Sequence, residues 1–129
     1  MQRIFQLFAV LALCAPITAC SKKEPTVQYP AYVNLTPGAE YKWNQLCVTC
    51  HGNLGKGDGP AGRNLKPPPR SFGDTAWQDG ISDAQIKEII VKGGVAVNKS
   101  KDMPANPDFA GNDKDLNSLV EKVRSFRHP

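Results

Sequence analysis

Cys47 and Cys50 stand three positions apart, and His51 follows directly. Thiols at i and i+3 share one face of a helical turn. There both can form thioethers to the two vinyl groups of a porphyrin, while the next residue turns an imidazole nitrogen onto the iron. Cys47-Val48-Thr49-Cys50-His51 therefore reads as a covalent attachment site for one haem c. Three rival readings need surroundings that the sequence does not offer. A thioredoxin-like dithiol wants a preceding strand and a βαβ unit. A zinc site wants four ligands in a tetrahedron, which adjacent Cys50 and His51 are poorly placed to share. A structural Cys47–Cys50 disulfide would close too short a loop to stabilise much.

An iron held by His51 has one further axial position. Besides Met1 the chain has a single methionine, Met103, and besides His51 a single histidine, His128. Met103 is the favoured donor, because it lies in a loop after a well-capped helix and Pro104 stiffens the backbone beside it. His128 stands next to the C-terminal residue, where fraying works against a fixed ligand. With both axial places filled by protein, no open position remains for oxygen or a substrate, and the chemistry narrows to one-electron exchange. A thioether ligand favours reduced iron and hence a relatively high potential. The other ring nitrogen of His51 needs an acceptor to fix its tautomer. A proline carbonyl from the following segment is the candidate, and Pro60 is nearest in sequence.

The elements that must position these residues are helical. Thr36-Pro37 reads as N-cap and first position of a helix that runs through Ala39, Tyr41, Trp43 and Leu46 into the cysteine pair. Gly52, Gly55, Gly57 and Gly59 break it into a loop. That run is not a phosphate loop, since it has no Gly-Lys-Ser/Thr ending and no preceding strand. Pro60 and Pro67-Pro68-Pro69 make an extended connection, followed by Phe72 and Trp77, which either flank the haem or fill the core. Ser82 and Gln85 form a capping box, Ile81 and Ile86 a hydrophobic staple, and Gly93-Gly94 the stop of the next helix. Val95 to Pro107 reads as a loop. Asn112 or Asp113 caps a last helix that turns Leu116, Leu119, Val120, Val123 and Phe126 inward. The expected fold is all-α, three or more helices with long loops wrapped around a haem.

Residues 1–19 have a basic start at Arg3, an apolar run from Ile4 to Ile17 and small residues before Cys20. They read as an export signal, and the apolar run is too short for a membrane span of roughly 20 residues. Ile17-Thr18-Ala19-Cys20 resembles a bacterial lipobox, so Cys20 is the expected lipidation site. The alternative is ordinary cleavage that leaves Cys20 free or paired. Residues 20–35 are polar and proline-bearing and read as a flexible tether, which leaves 36–129 as one small domain. The formal charge of +4 falls to about +3 once Arg3 leaves. Its basic residues are scattered, which argues against a nucleic-acid partner.

From about Thr36 to Arg127 the sequence resembles a class I c-type cytochrome. The resemblance rests on Cys47-Val48-Thr49-Cys50-His51-Gly52, on Gly55-Lys56-Gly57-Asp58-Gly59-Pro60, on Leu65-Lys66-Pro67, on the Ser82 to Gly94 helix and on Met103-Pro104. It implies crossed N- and C-terminal helices with haem between them, attachment at Cys47 and Cys50, and His51 and Met103 as axial ligands. Two positions depart from the family pattern. Ala39 stands where a glycine is usual at the helix crossing, with Gly38 one place off, and Lys122 stands where an aromatic often precedes Val-Arg-Ser. The crossing is therefore expected to be built by Trp43 on Leu119 and Phe126.

The function expected from these features is electron transfer between redox proteins outside the cytoplasm. The carrier would be a monomer or a subunit of a respiratory-type complex, anchored by lipid at Cys20 and facing the periplasm. Ser21 favours the outer membrane over the inner. Lys99 and Lys101 are candidate docking charges for an acidic partner, against the plainer reading of a solvated loop. Two other functions stay open: a haem enzyme or sensor in which Met103 dissociates, and a thiol oxidoreductase without haem.

Overall fold

The computed structural model describes residues 31–127. Cys20, the expected lipidation site, the expected export signal and His128 lie outside that range. Among the described residues there is no strand. Helix α1 (Pro37–Lys42) runs through a π-helical turn (Trp43–Cys47) into α2 (Val48–His51). There follow α3 (Thr75–Gly80), α4 (Asp83–Ala96), a 3-10 turn (Pro107–Phe109) and α5 (Asp113–Ser125). None of these helices is long and apolar enough to cross a membrane.

The expected caps are made. Thr36 Oγ1 accepts from the Ala39 N–H, Ser82 and Gln85 close a reciprocal capping box, and Asn112 Oδ1 accepts from the Asp115 N–H. Helix α3 was not expected. Its N-cap is Asp74, whose carboxylate accepts from Trp77 N–H at 3.1 Å, a signal overshadowed by the Pro67-Pro68-Pro69 run just before it. Helix α4 breaks where Gly93-Gly94 predicts, with Gly93 at φ 75° and ψ 175°, and then resumes for one turn to Ala96. The loop expected from Val95 therefore starts later, and it ends in the 3-10 turn at Pro107. Ala31 N–H donates to the Ser125 carbonyl at 3.3 Å, and Leu35 packs against the core.

Helices α1 and α4 both pack on α5. Ala39, Trp43, Phe72, Ile86, Phe109, Leu116, Leu119, Val120, Val123 and Phe126 form one buried cluster. Each large side chain in it contributes about 1.5–3 kcal/mol by leaving water. The helix crossing is built by other means than the family pattern. Ala39 is fully buried, while Gly38 lies so close to the Asp115 carboxylate that a Cβ would collide with it. Trp43 stacks on Phe126 at 5.4 Å, and Lys122 lays its ammonium over both rings, 5.6 Å from Trp43 and 4.8 Å from Phe126. A cation over ring faces thus takes the place of the family's aromatic. Burial pulls Lys122 below the ordinary lysine range.

Candidate haem-binding site

The cysteine pair is positioned by an irregularity. Val48 N–H reaches back to the Trp43 carbonyl, a π-helical bond between α1 and α2; such bulges cluster at functional sites. It lets Trp43 stay buried in the core while Cys47, Cys50 and His51 remain half-buried at its edge. Both thiols are unpaired. Desolvation pushes the Cys47 thiol up to about 11, partly opposed by Lys42. That is the reverse of what a catalytic thiolate needs, and it argues against the thiol oxidoreductase.

The glycine loop turns out to be the C-terminal cap of the motif. The last carbonyls of a helix have no partner within it. Here Gly52 N–H donates to Val48 at 2.9 Å, Ala61 to Thr49 at 2.8 Å, Gly59 to Cys50 at 3.1 Å and Gly57 to His51 at 2.9 Å. The approach is close enough that a Cβ on Gly59 would run into the Thr49 and Val48 carbonyls.

His51 is set by the segment 70–72. Its Nδ1 faces the Arg70 carbonyl at 3.4 Å, and its ring stacks on Phe72 with centroids 4.4 Å apart and planes 17° from parallel. The acceptor is thus Arg70 and not Pro60, because the chain folds back after the prolines and brings residue 70 to the ring. Pro60 instead lines a shallow cleft with Val48, Thr49 and Gly52. A carbonyl only accepts, so Nδ1 carries the proton and Nε2 keeps its lone pair. Burial lowers the His51 pKa while the Arg70 carbonyl raises it, and the net shift is downward. A neutral imidazole with Nε2 free is the form that ligates iron.

Met103 is held to α4 and not to the cysteine segment. Its carbonyl accepts from Gly94 N–H at 2.9 Å. Asn106, buried, donates its side-chain amide to the Ile90 carbonyl at 3.0 Å and the Pro104 carbonyl at 3.3 Å. Its backbone N–H is shared by the Ile90 and Val91 carbonyls, both at 3.1 Å. These carbonyls lost their helical partners when Gly93 broke α4, so the break and the methionine loop are one construction. A cleft of about 500 Å³ beside it is lined by Trp77, Ile81, Ile89, Val97 and Lys99. Neither the cysteines, His51 nor Met103 lines it.

Four residues that matter were not singled out from sequence: Arg70, Asn106, Gln78 and Arg124. Arg124 donates to the Gln78 carbonyl at 2.6 Å, the Gln78 side-chain oxygen at 2.9 Å, the Ile81 carbonyl at 2.6 Å and Asp83 at 2.9 Å.

The donor set fits haem c: two unpaired thiols one turn apart, then a neutral imidazole with one nitrogen occupied and one free. It does not fit zinc, since no group of three or more His, Cys, Asp or Glu among the described residues is placed to hold an ion. An all-α domain carrying this set is a class I c-type cytochrome. The sequence model of one family, described as cytochrome C oxidase, cbb3-type, subunit III, matches residues 35–121, and the chain belongs to that family. No curated protein matches it. The protein is therefore a haem-binding electron-transfer protein with covalently bound haem c.

Proposed function

We propose that the chain is a monohaem electron carrier and not an enzyme, tethered by lipid at Cys20 and working between redox proteins outside the cytoplasm. Cys47 and Cys50 would hold the haem through thioethers, and His51 Nε2 and Met103 Sδ would be the donors to its iron. The observation that carries this reading is the state of His51: Nδ1 is engaged by a carbonyl, its ring is stacked on Phe72, and Nε2 is left with its lone pair. When bound, the haem supplies a one-electron iron couple. The chain's own part is to hold both donors in place, so that little rearranges between redox states, and to exclude water around the ring with Phe72 and Trp77.

Attachment is tested by denaturing electrophoresis with haem staining. Wild type is expected to keep its haem and Cys47→Ala/Cys50→Ala to lose it; haem retained by the double variant would overturn the attachment sites. Carbon monoxide added to the reduced protein at neutral pH is expected not to bind, because Met103 stays on. Rapid binding would favour the enzyme or sensor. For the anchor, Cys20→Ser is expected to release the protein from the membrane fraction of the expressing cell.

The family description favours one second reading, a subunit of a terminal-oxidase-type complex. Sizing of the detergent-solubilised native protein separates the two, since a carrier elutes as a small species and a subunit with its complex.

A further inference from the structure

Gln78 is buried, 3 % exposed, and every polar atom of its side chain is used. Nε2 donates to the Phe72 carbonyl at 2.8 Å and to the Val123 carbonyl at 2.9 Å, while Oε1 accepts from Arg124 at 2.9 Å. It therefore bolts the segment that carries Phe72 onto the C-terminal end of α5. The other side of that residue is fixed too, as Phe72 N–H donates to the Gly55 carbonyl at 2.7 Å. Gly55 belongs to the loop that caps α2. The same short segment touches His51 twice, through the Phe72 ring at 4.4 Å and the Arg70 carbonyl at 3.4 Å from Nδ1.

We propose that Gln78 is a positioning residue for His51. By clamping the Phe72 carbonyl it holds the Arg70 carbonyl on Nδ1–H and so sets the basicity of the imidazole and the reduction potential. The physical link is that a hydrogen bond from the outer ring nitrogen raises ligand basicity, which favours the oxidised iron and lowers the potential. The bond is already long at 3.4 Å, so a small drift of residue 70 weakens it. Gln78 has this effect where other buried polar residues do not, because its donor ends on the segment that faces the ligand.

This inference rests on His51 being an iron ligand, and the experiment separates the two. His51→Ala is expected to abolish the wild-type low-spin spectrum; an unchanged spectrum would remove the ligand itself, whatever Gln78 does. Gln78→Met then removes both donors at nearly constant length. The reduction potential is expected to rise, with the ratio of reduced to oxidised protein at a fixed ambient potential changing on the order of tenfold, which is 59 mV for one electron. Exchange of the His51 Nδ1 proton with solvent, read by NMR in the reduced protein, is expected to quicken.

Ser118→Ala is the matched control. It removes a bond from another buried polar residue, Ser118 Oγ accepting from Thr36 N–H at 3.0 Å, far from residue 70 in the sequence. It is expected to lower the unfolding midpoint and leave potential and exchange unchanged. Should Gln78→Met fail to take up haem, Gln78→Asn, which keeps the amide one methylene short, carries the measurement with a smaller shift of the same sign. A potential that stays or falls while stability drops, as for the control, overturns the proposal.

Discussion

The two sides of the site are built to different standards. On the His51 side, four backbone carbonyls of α2 are capped by one loop, the imidazole stacks on Phe72, and Phe72 lies 5.9 Å from Phe126 and 6.5 Å from Trp43 in the core. On the Met103 side, the loop hangs from the broken end of α4 by the Gly94 N–H and by Asn106. Met103 itself is half-buried, and Lys101, Asp102, Pro104 and Ala105 around it are exposed. Local opening starts where few buried contacts resist it. On the proposed ligation, the methionine is therefore expected to leave first, and the histidine to stay until the domain unfolds.

That contrast is broken most severely at Phe126, which is fully buried. Phe126→Ala empties the space between Trp43 and Phe72 and is expected to lower stability by about 3–5 kcal/mol, read as the midpoint of urea unfolding, with both ligands lost together. Gly59→Ala is next, because its Cβ meets backbone that cannot retreat; a loss of about 1–3 kcal/mol is expected, again with the two ligands lost in a single step. Asn106→Ala removes the tie of the methionine loop and leaves carbonyls short of a partner, for about 1–2 kcal/mol. Here the sulfur-to-iron band should fade at lower urea than the far-UV signal, whereas in wild type the two transitions lie closer together. A single coincident transition in this variant would contradict the contrast.

Lys122 gives the smallest effect. Burial holds its pKa below the unfolded value of 10.5, so around neutral pH the unfolded chain holds the lysine proton more tightly. Stability then rises with pH as the folded group loses its proton, and the gain is complete above 10.5. Measured against Lys122→Gln, wild type is expected to gain relative stability as the pH climbs towards that value. The two rings beneath the ammonium oppose the shift. A relative loss over the same window would mean that the rings outweigh burial.

The sequence made the ends of helices legible, because caps are local: Thr36, the Ser82–Gln85 box and Asn112 each sit within three residues of the N–H they satisfy. The attachment motif was legible for the same reason. What stayed hidden depends on chain reversal. Nothing local marks Arg70 as the residue facing His51, since its carbonyl arrives across 19 positions, and proximity in sequence pointed to Pro60. Gln78 reaches 45 positions to Val123, and Arg124 reaches 46 back to Gln78. Lys122 departs from the family pattern at the helix crossing, and only the faces of Trp43 and Phe126 beneath its ammonium account for it.

The most direct measurement is the far-red sulfur-to-iron band of the oxidised protein, compared between wild type and Met103→Ala at neutral pH. A band present in wild type and absent from the variant, with the covalent haem retained in both, is the result expected for His51/Met103 ligation and a closed electron carrier. An identical spectrum in the two proteins would take Met103 off the iron and contradict the assignment of the site.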